Sequence, residues 1–140
     1  MSGVTNFGDL LRDLANIDEE LSGWVTGGVT TMGNMFRNAA SFNSPVAFDT
    51  SSVTLMSEMF SGAGAFNQPV AFATSGVVSM SQMFQSATAF NQPLTLDTGL
   101  VANMNMILYY TLAFNQPVSF SDTALVANMN LLLSYAKVFD

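Results

Sequence analysis

Apolar positions along the chain follow two alternating spacings. Residues 56–66 read Met-Ser-Glu-Met-Phe-Ser-Gly-Ala-Gly-Ala-Phe, with apolar side chains at 56, 59, 60 and 63. That i, i+3, i+4, i+7 spacing predicts one face of a short helical turn, part of it 3₁₀. After Phe66-Asn67 the pattern changes to Val70-Ala71-Phe72, the period-two alternation of a strand. Pro69 suits a strand start because it has no N–H to give to a ladder. Thr74-Ser75-Gly76 then reads as a turn.

The same sequence of patterns recurs. Phe-Asn-x-Pro stands at Phe42, Phe66, Phe90 and Phe114, each 24 residues after the last. Ahead of it come Met32-x-x-Met35-Phe36, Met56-x-x-Met59-Phe60 and Met80-x-x-Met83-Phe84. Weaker copies follow at Met104-x-x-Ile107-Leu108 and Met129-x-x-Leu132-Leu133, the last interval being 25 because of one extra residue near Ser121 and Asp122. Val29, Val53, Val77, Val101 and Val126 each precede a unit's first Met by three residues. A unit of this size cannot bury its own apolar face, so neighbours must stack. The expected fold is an α/β repeat solenoid, leucine-rich-repeat-like, of about five coils of 24–25 residues. Each coil would hold a short parallel strand and a short helical turn. In such a stack Asn43, Asn67, Asn91 and Asn115 form a column positioned to bond backbone groups at the corners.

These residues resemble the repeat of the BspA-like leucine-rich-repeat surface proteins. The match runs from Val53-Thr-Leu-Met56-Ser-Glu-Met59-Phe60 to Phe66-Asn67-Gln68-Pro69. Phe48-Asp49-Thr50-Ser51 is a loose counterpart of that family's Trp-Asp-x-Ser, and Trp24 keeps the aromatic. The resemblance spans roughly residues 24–139. It implies a leucine-rich-repeat-like solenoid that touches other proteins, as adhesins on cell surfaces or as virus and phage proteins do. It brings no catalytic motif. Most units here are one residue shorter than the family's.

Residues 1–23 read as an N-terminal helical cap on a solenoid of residues 24–140. Leu10, Leu14, Ile17 and Leu21 are spaced as one helical face, with Gly23 as terminator. Asp9, Asp13, Asp18, Glu19 and Glu20, half of the ten acidic residues, fall in this segment. The other end shows no such cap: Val138-Phe139-Asp140 stands where a further strand is expected.

Composition narrows the functional classes. Apolar residues make up 49% and charged residues 9% of the 140; soluble domains carry roughly 25% charged residues. So little charge suits a surface hidden in an assembly. Cysteine and histidine are absent, which removes thiol chemistry and the commonest zinc ligands. A net charge of −7, with only Arg12, Arg37 and Lys137 basic, argues against nucleic acid. No apolar run is long enough for a membrane helix, and no signal peptide is visible. Asp49, Asp97 and Asp122 share strand-end positions, but no basic residue lies near them in the repeat to tune them. We expect no enzyme activity, no cofactor and no metal.

Comparing units position by position locates a candidate surface. The third turn position carries Asn34, Glu58, Gln82, Met106 and Leu131; the seventh carries Asn38, Gly62, Ser86, Tyr110 and Tyr135. The sixth carries Arg37, Ser61, Gln85, Tyr109 and Ser134. A face that is polar in the early units becomes apolar and aromatic in the last two. Met106, Tyr109, Tyr110, Leu112, Leu131 and Tyr135 are therefore the expected partner-binding residues, since Met and aromatic side chains dominate interface cores. The outward strand residues Ala47, Ala71, Thr95 and Ser119 are small and would make a smooth second face. These features give the expectation of a structural or protein-interaction module, homo-oligomeric or part of a larger assembly. A virion structural component, such as a capsid decoration or fibre protein, is expected first, and a cell-surface adhesin fragment second. The corresponding location is the virion or the extracellular surface.

Overall fold

The computed structural model describes residues 3–137. The residues Val138-Phe139-Asp140, and with them the end of the 24–140 span, lie outside the described residues. Within it, equivalent positions of successive units lie side by side. Parallel bridges link Asn6 to Thr31, Thr31 to Leu55, Leu55 to Ser79, Ser79 to Asn103, and Asn103 to Asn128. The repeat interval has thus become a coil-to-coil step.

The α/β, leucine-rich-repeat-like solenoid with a helical turn in each coil does not form. Among the described residues there is no helix. The only strands among those residues are β1 (Leu94–Leu96) and β2 (Val118–Phe120), a parallel pair with Leu94 opposite Val118 and Leu96 opposite Phe120. The reason lies in two residues of each expected helical turn. Asn34 and Asn38 have φ of 57° and 58°, Glu58 and Gly62 58° and 73°, Gln82 and Ser86 59° and 56°. Met106 and Tyr110 follow at 55° and 59°, Leu131 and Tyr135 at 55° and 65°. A left-handed residue every fourth position breaks a right-handed helix each time it starts.

What forms instead is a run of tight turns. Met35 N–H donates to Met32 C=O at 3.2 Å and Ala39 N–H to Phe36 C=O at 3.0 Å. In both, the third residue (Asn34, Asn38) has the positive φ that a type II turn requires. The intervening N–H groups leave the coil. Met32, Asn34, Phe36 and Asn38 donate to the carbonyls of Leu55, Ser57, Met59 and Ser61 of the next coil, at 3.0, 2.9, 2.8 and 2.8 Å. Backbone donors therefore alternate between closing a turn and joining two coils, which satisfies them without a helix.

The N-terminal segment behaves likewise, so the helix expected over residues 9–22 is also absent. Asp9 and Asp13 have φ of 58° and 60°. Phe7, Asp9, Leu11 and Asp13 donate to the carbonyls of Thr31, Gly33, Met35 and Arg37 at 3.0, 3.0, 3.0 and 2.7 Å. Leu10 and Leu14 stand where Met35 and Ala39 stand one coil on but are 49% and 48% exposed, while Leu11 is buried. The segment covers the stack as one more coil.

Stacking turns recurring side chains into columns. Phe36, Phe60 and Phe84 lie face to face, with ring centroids 5.2 and 5.5 Å apart and planes within 3°. Phe42, Phe66, Phe90 and Phe114 form a second column at 6.0, 6.0 and 6.1 Å. The paired methionines of the first three units and the valines Val29, Val53, Val77 and Val101 are fully buried around them. Burying each such side chain stabilises the fold by about 1.5–3 kcal/mol. After each corner the alternation persists even where no ladder is made: Val46 and Phe48 are buried around exposed Ala47.

Polar columns hold the corners. Asn43 Oδ1 accepts from Asn67 N–H, Asn67 Oδ1 from Asn91 N–H and Asn91 Oδ1 from Asn115 N–H, each at 2.8 Å. Thr50, Thr74 and Thr98, all buried, form another column. Thr50 Oγ1 donates to Ala73 C=O at 3.1 Å, Thr74 Oγ1 to Asp97 C=O at 3.0 Å, and Thr98 Oγ1 to Asp122 C=O.

Candidate contact surface

The backbone that excluded a helix also aims the surface side chains. Turn positions three and seven carry the left-handed residues, so their side chains rise in columns along one flank of the stack. At the N-terminal end this flank is polar and ionic. Asn38 Nδ2 donates to Asp13 Oδ1 at 2.8 Å, and Arg37 pairs with Glu58 at 2.7 Å. Arg12 lies 2.9 Å from Asp9 and 3.3 Å from Asp13. The Arg12 pairs are exposed and the Arg37–Glu58 pair half-buried; exposed pairs contribute little to stability and keep the flank hydrated.

Two coils further on, the same columns hold tyrosines. Met106 N–H donates to Asn130 C=O at 2.8 Å and Tyr110 N–H to Ser134 C=O at 2.9 Å, which sets coils four and five in register. Tyr135 meets Tyr109 edge to face at 5.5 Å and Tyr110 at 5.9 Å; Tyr109 and Tyr110 are 6.3 Å apart. These are separations at which aromatic rings attract. Tyr110 is 41% exposed and Tyr135 59%, with Leu131 at 47%. Met106 and Tyr109 are half-buried, and Gln82 Nε2 lies 3.8 Å from the Met106 sulfur. Leu112 is half-buried, and its place in the cluster rests on sequence position alone. The structure thus brings the three tyrosines together and sets Met106 and Leu131 in one column.

Two further residues belong to the apolar end of the molecule. Leu100 and Leu125, one coil apart, are 53% and 59% exposed. Their equivalents in earlier units are Ser52 and Gly76. The unit-by-unit comparison that exposes the tyrosines, applied to this turn, reveals them too.

The aspartates are turn caps. Asp49 accepts the N–H of Ser51 at 3.0 Å, Asp97 that of Gly99 at 3.1 Å, and Asp122 that of Ala124 at 2.8 Å. The Ser51 hydroxyl and N–H hold the Asp49 carboxyl below the ordinary carboxylate range; Gly99 N–H and the Ser121 hydroxyl do the same for Asp97. Such bonds stabilise a standing anion, the reverse of what a general acid needs. Among the described residues no three acidic side chains converge as a metal site would require.

No curated protein and no solved structure matches this chain. One sequence family does, over residues 1–95 and again over 70–140, which together cover the whole length. The chain belongs to the family described as Mycoplasma protein of unknown function, DUF285.

Proposed function

We propose that this chain is a non-catalytic protein-interaction module that holds its partner against the tyrosine cluster of coils four and five. The observation that carries this reading is the change along one flank, from the Arg37–Glu58 ion pair to Tyr109, Tyr110 and Tyr135 in mutual contact. Every unit uses the same backbone, so the fold does not require tyrosine at these positions. Exposed aromatic rings next to Met106 and Leu131 supply large apolar area with few rotamers to freeze, the composition of an interface centre. The partner fitted to such a surface is a protein with an apolar or aromatic face.

Of the two settings, the cell-surface adhesin is the better supported. Membership of the repeat family and the likeness to the BspA-like surface repeats both favour it. The virion component draws on the resemblance alone, which extends to virus and phage proteins.

A benzophenone amino acid replacing Tyr110, introduced in the producing cells, tests the surface directly. Illumination should give one discrete adduct with another protein, while the same probe at Thr54, off this flank, should give none. Equal adducts from both sites, or none from Tyr110, would reject the reading.

A further inference from the structure

The chain has three tyrosines, and all three meet across the joint between coils four and five. Tyr110 and Tyr135, 25 residues apart, occupy the same turn position of adjacent coils. Both have a left-handed backbone, at φ of 59° and 65°, so their side chains leave the two coils in the same direction. The bond from Tyr110 N–H to Ser134 C=O, 2.9 Å long, fixes one coil against the other beside them. The 5.9 Å between their ring centroids follows from that joint.

Ring geometry separates the possible pairings. Tyr109 and Tyr135 cross at 86°, which aims the edge of one ring at the face of the other. Tyr110 and Tyr135 are tilted at 54°, and both are exposed, at 41% and 59%. A small swing of two exposed rings so inclined brings the carbon beside one hydroxyl against its counterpart on the other. Tyr109 is half-buried and less open to a reagent in solution. None of the three hydroxyls has a hydrogen-bond partner among the described residues, so each can lose its proton to water.

We infer that Tyr110 and Tyr135 form an oxidative cross-linking site, where a one-electron oxidant joins coils four and five through a dityrosine bond. Each phenol gives up one electron and its hydroxyl proton, leaving a phenoxyl radical. The two radicals couple through the ring carbons beside the oxygens and form one C–C bond. The hydrogens on those carbons then move to the oxygens as protons, and both rings regain aromaticity. The chain loses two hydrogens in all. Hydrogen peroxide, acting through a haem peroxidase, takes up the two electrons and two protons and becomes two waters. The chain has no cysteine, so no disulfide can join its coils instead. Each coil is held by its neighbours, so a bond across one joint limits separation of the two coils and restricts the unfolded chain between them. The joint lies within the described stack, and the site does not depend on what precedes or follows it. It uses rings of the proposed contact surface but does not rest on that reading. Its readout is a bond within one chain, whereas the benzophenone probe reports an adduct between two proteins, so either can fail alone.

The test treats the whole chain, dilute, with hydrogen peroxide and a haem peroxidase. The monomer band of a denaturing gel should acquire dityrosine fluorescence, and its mass should fall by two hydrogens. A protease that cuts before aspartate separates residues 97–121 from 122–139. After oxidation these two peptides should stay joined, and fragmentation should place the bond at Tyr110 and Tyr135. Tyr110→Phe and Tyr135→Phe should each abolish the joined species, while Tyr109→Phe should retain it; an unchanged far-UV spectrum establishes that each variant is folded. In urea the yield should fall, and Tyr109 and Tyr110 should contribute alike. The linked chain should unfold at a higher temperature than the Tyr135→Phe chain oxidised in the same way, which controls for oxygen gained by methionine. Separate peptides, a bond through Tyr109, dityrosine only between chains, the same yield in urea as in the folded state, or an equal midpoint would overturn the inference.

Discussion

Asn67 joins three coils with one side chain and one peptide. Its N–H donates to Asn43 Oδ1 at 2.8 Å, and its own Oδ1 accepts Asn91 N–H at 2.8 Å and Gln92 Nε2 at 3.1 Å. The column begins with a different residue. Asp18 Oδ1 takes the place of an asparagine oxygen, accepting Asn43 N–H at 2.8 Å and the Ser44 hydroxyl at 3.0 Å. Asn43 N–H, and after it the Ser44 hydroxyl, hold the Asp18 carboxyl below the ordinary range. The folded value is therefore lower than the unfolded one of about 3.9. The anion's contribution is complete above that unfolded value and is lost as pH falls through the folded one. Asp18→Asn restores the residue used by the other corners and has no proton to gain. We expect thermal unfolding near pH 7 to change little in this variant and the loss of stability as pH falls below the ordinary carboxylate value to become shallower. An acid limb as steep as that of the natural chain would show that Asp18 is not what titrates.

At the scale of the element, one sign of φ separates the turn that forms from the helix that the spacing suggests. Met56, Met59, Phe60 and Ala63 are all fully buried, so the expected apolar face is the buried one. The i, i+3, i+4, i+7 spacing fits a run of tight turns as well as a helix, and apolar periodicity cannot distinguish them. The signal was present in Asn34, Asn38 and Gly62, the residue types that tolerate a left-handed backbone, but Glu58, Gln82 and Met106 at matching positions obscured it. Gln82 sits at φ 59°, where a non-glycine residue costs about 1–2 kcal/mol. Gln82→Gly should relieve part of that and raise the midpoint of unfolding in urea, by an amount equivalent to less than about 1 kcal/mol after glycine's own entropy cost. Gln82→Pro, whose ring fixes φ near −65°, should disrupt the coil and destroy cooperative unfolding. If both substitutions proved neutral, the left-handed turn would not be the element that builds the coil. The tyrosine cluster was legible for a separate reason. Comparing units shows where side-chain character departs from a constant backbone, whatever that backbone is. Leu100 and Leu125 escaped because their turn was read in one unit only.

For the whole molecule, the recurrence of Phe-Asn-x-Pro fixed the step between coils, and the columns of Phe66, Phe90 and Phe114 follow from it at 6.0 and 6.1 Å. A stack in which each coil touches only its neighbours has a stability that adds unit by unit. Removing one complete period should then lower stability without destroying the architecture. Deleting residues 67–90 joins Phe66 to Asn91 and preserves the order Phe-Asn-Gln-Pro. Phe42, Phe66 and Phe114 would remain in one column, and the buried threonines Thr50 and Thr98 would become neighbours. Deleting only residues 73–84 removes half a period and would place surface positions in the core. The 24-residue deletion should keep the native far-UV spectrum and a cooperative thermal transition at lower temperature; the 12-residue deletion should keep neither. Loss of structure in both would mean that the coils are held by something other than their neighbours, and survival of both would mean that register does not matter. The contrast between them isolates the claim that side chains recurring along the chain become columns because each backbone coil rests on the next.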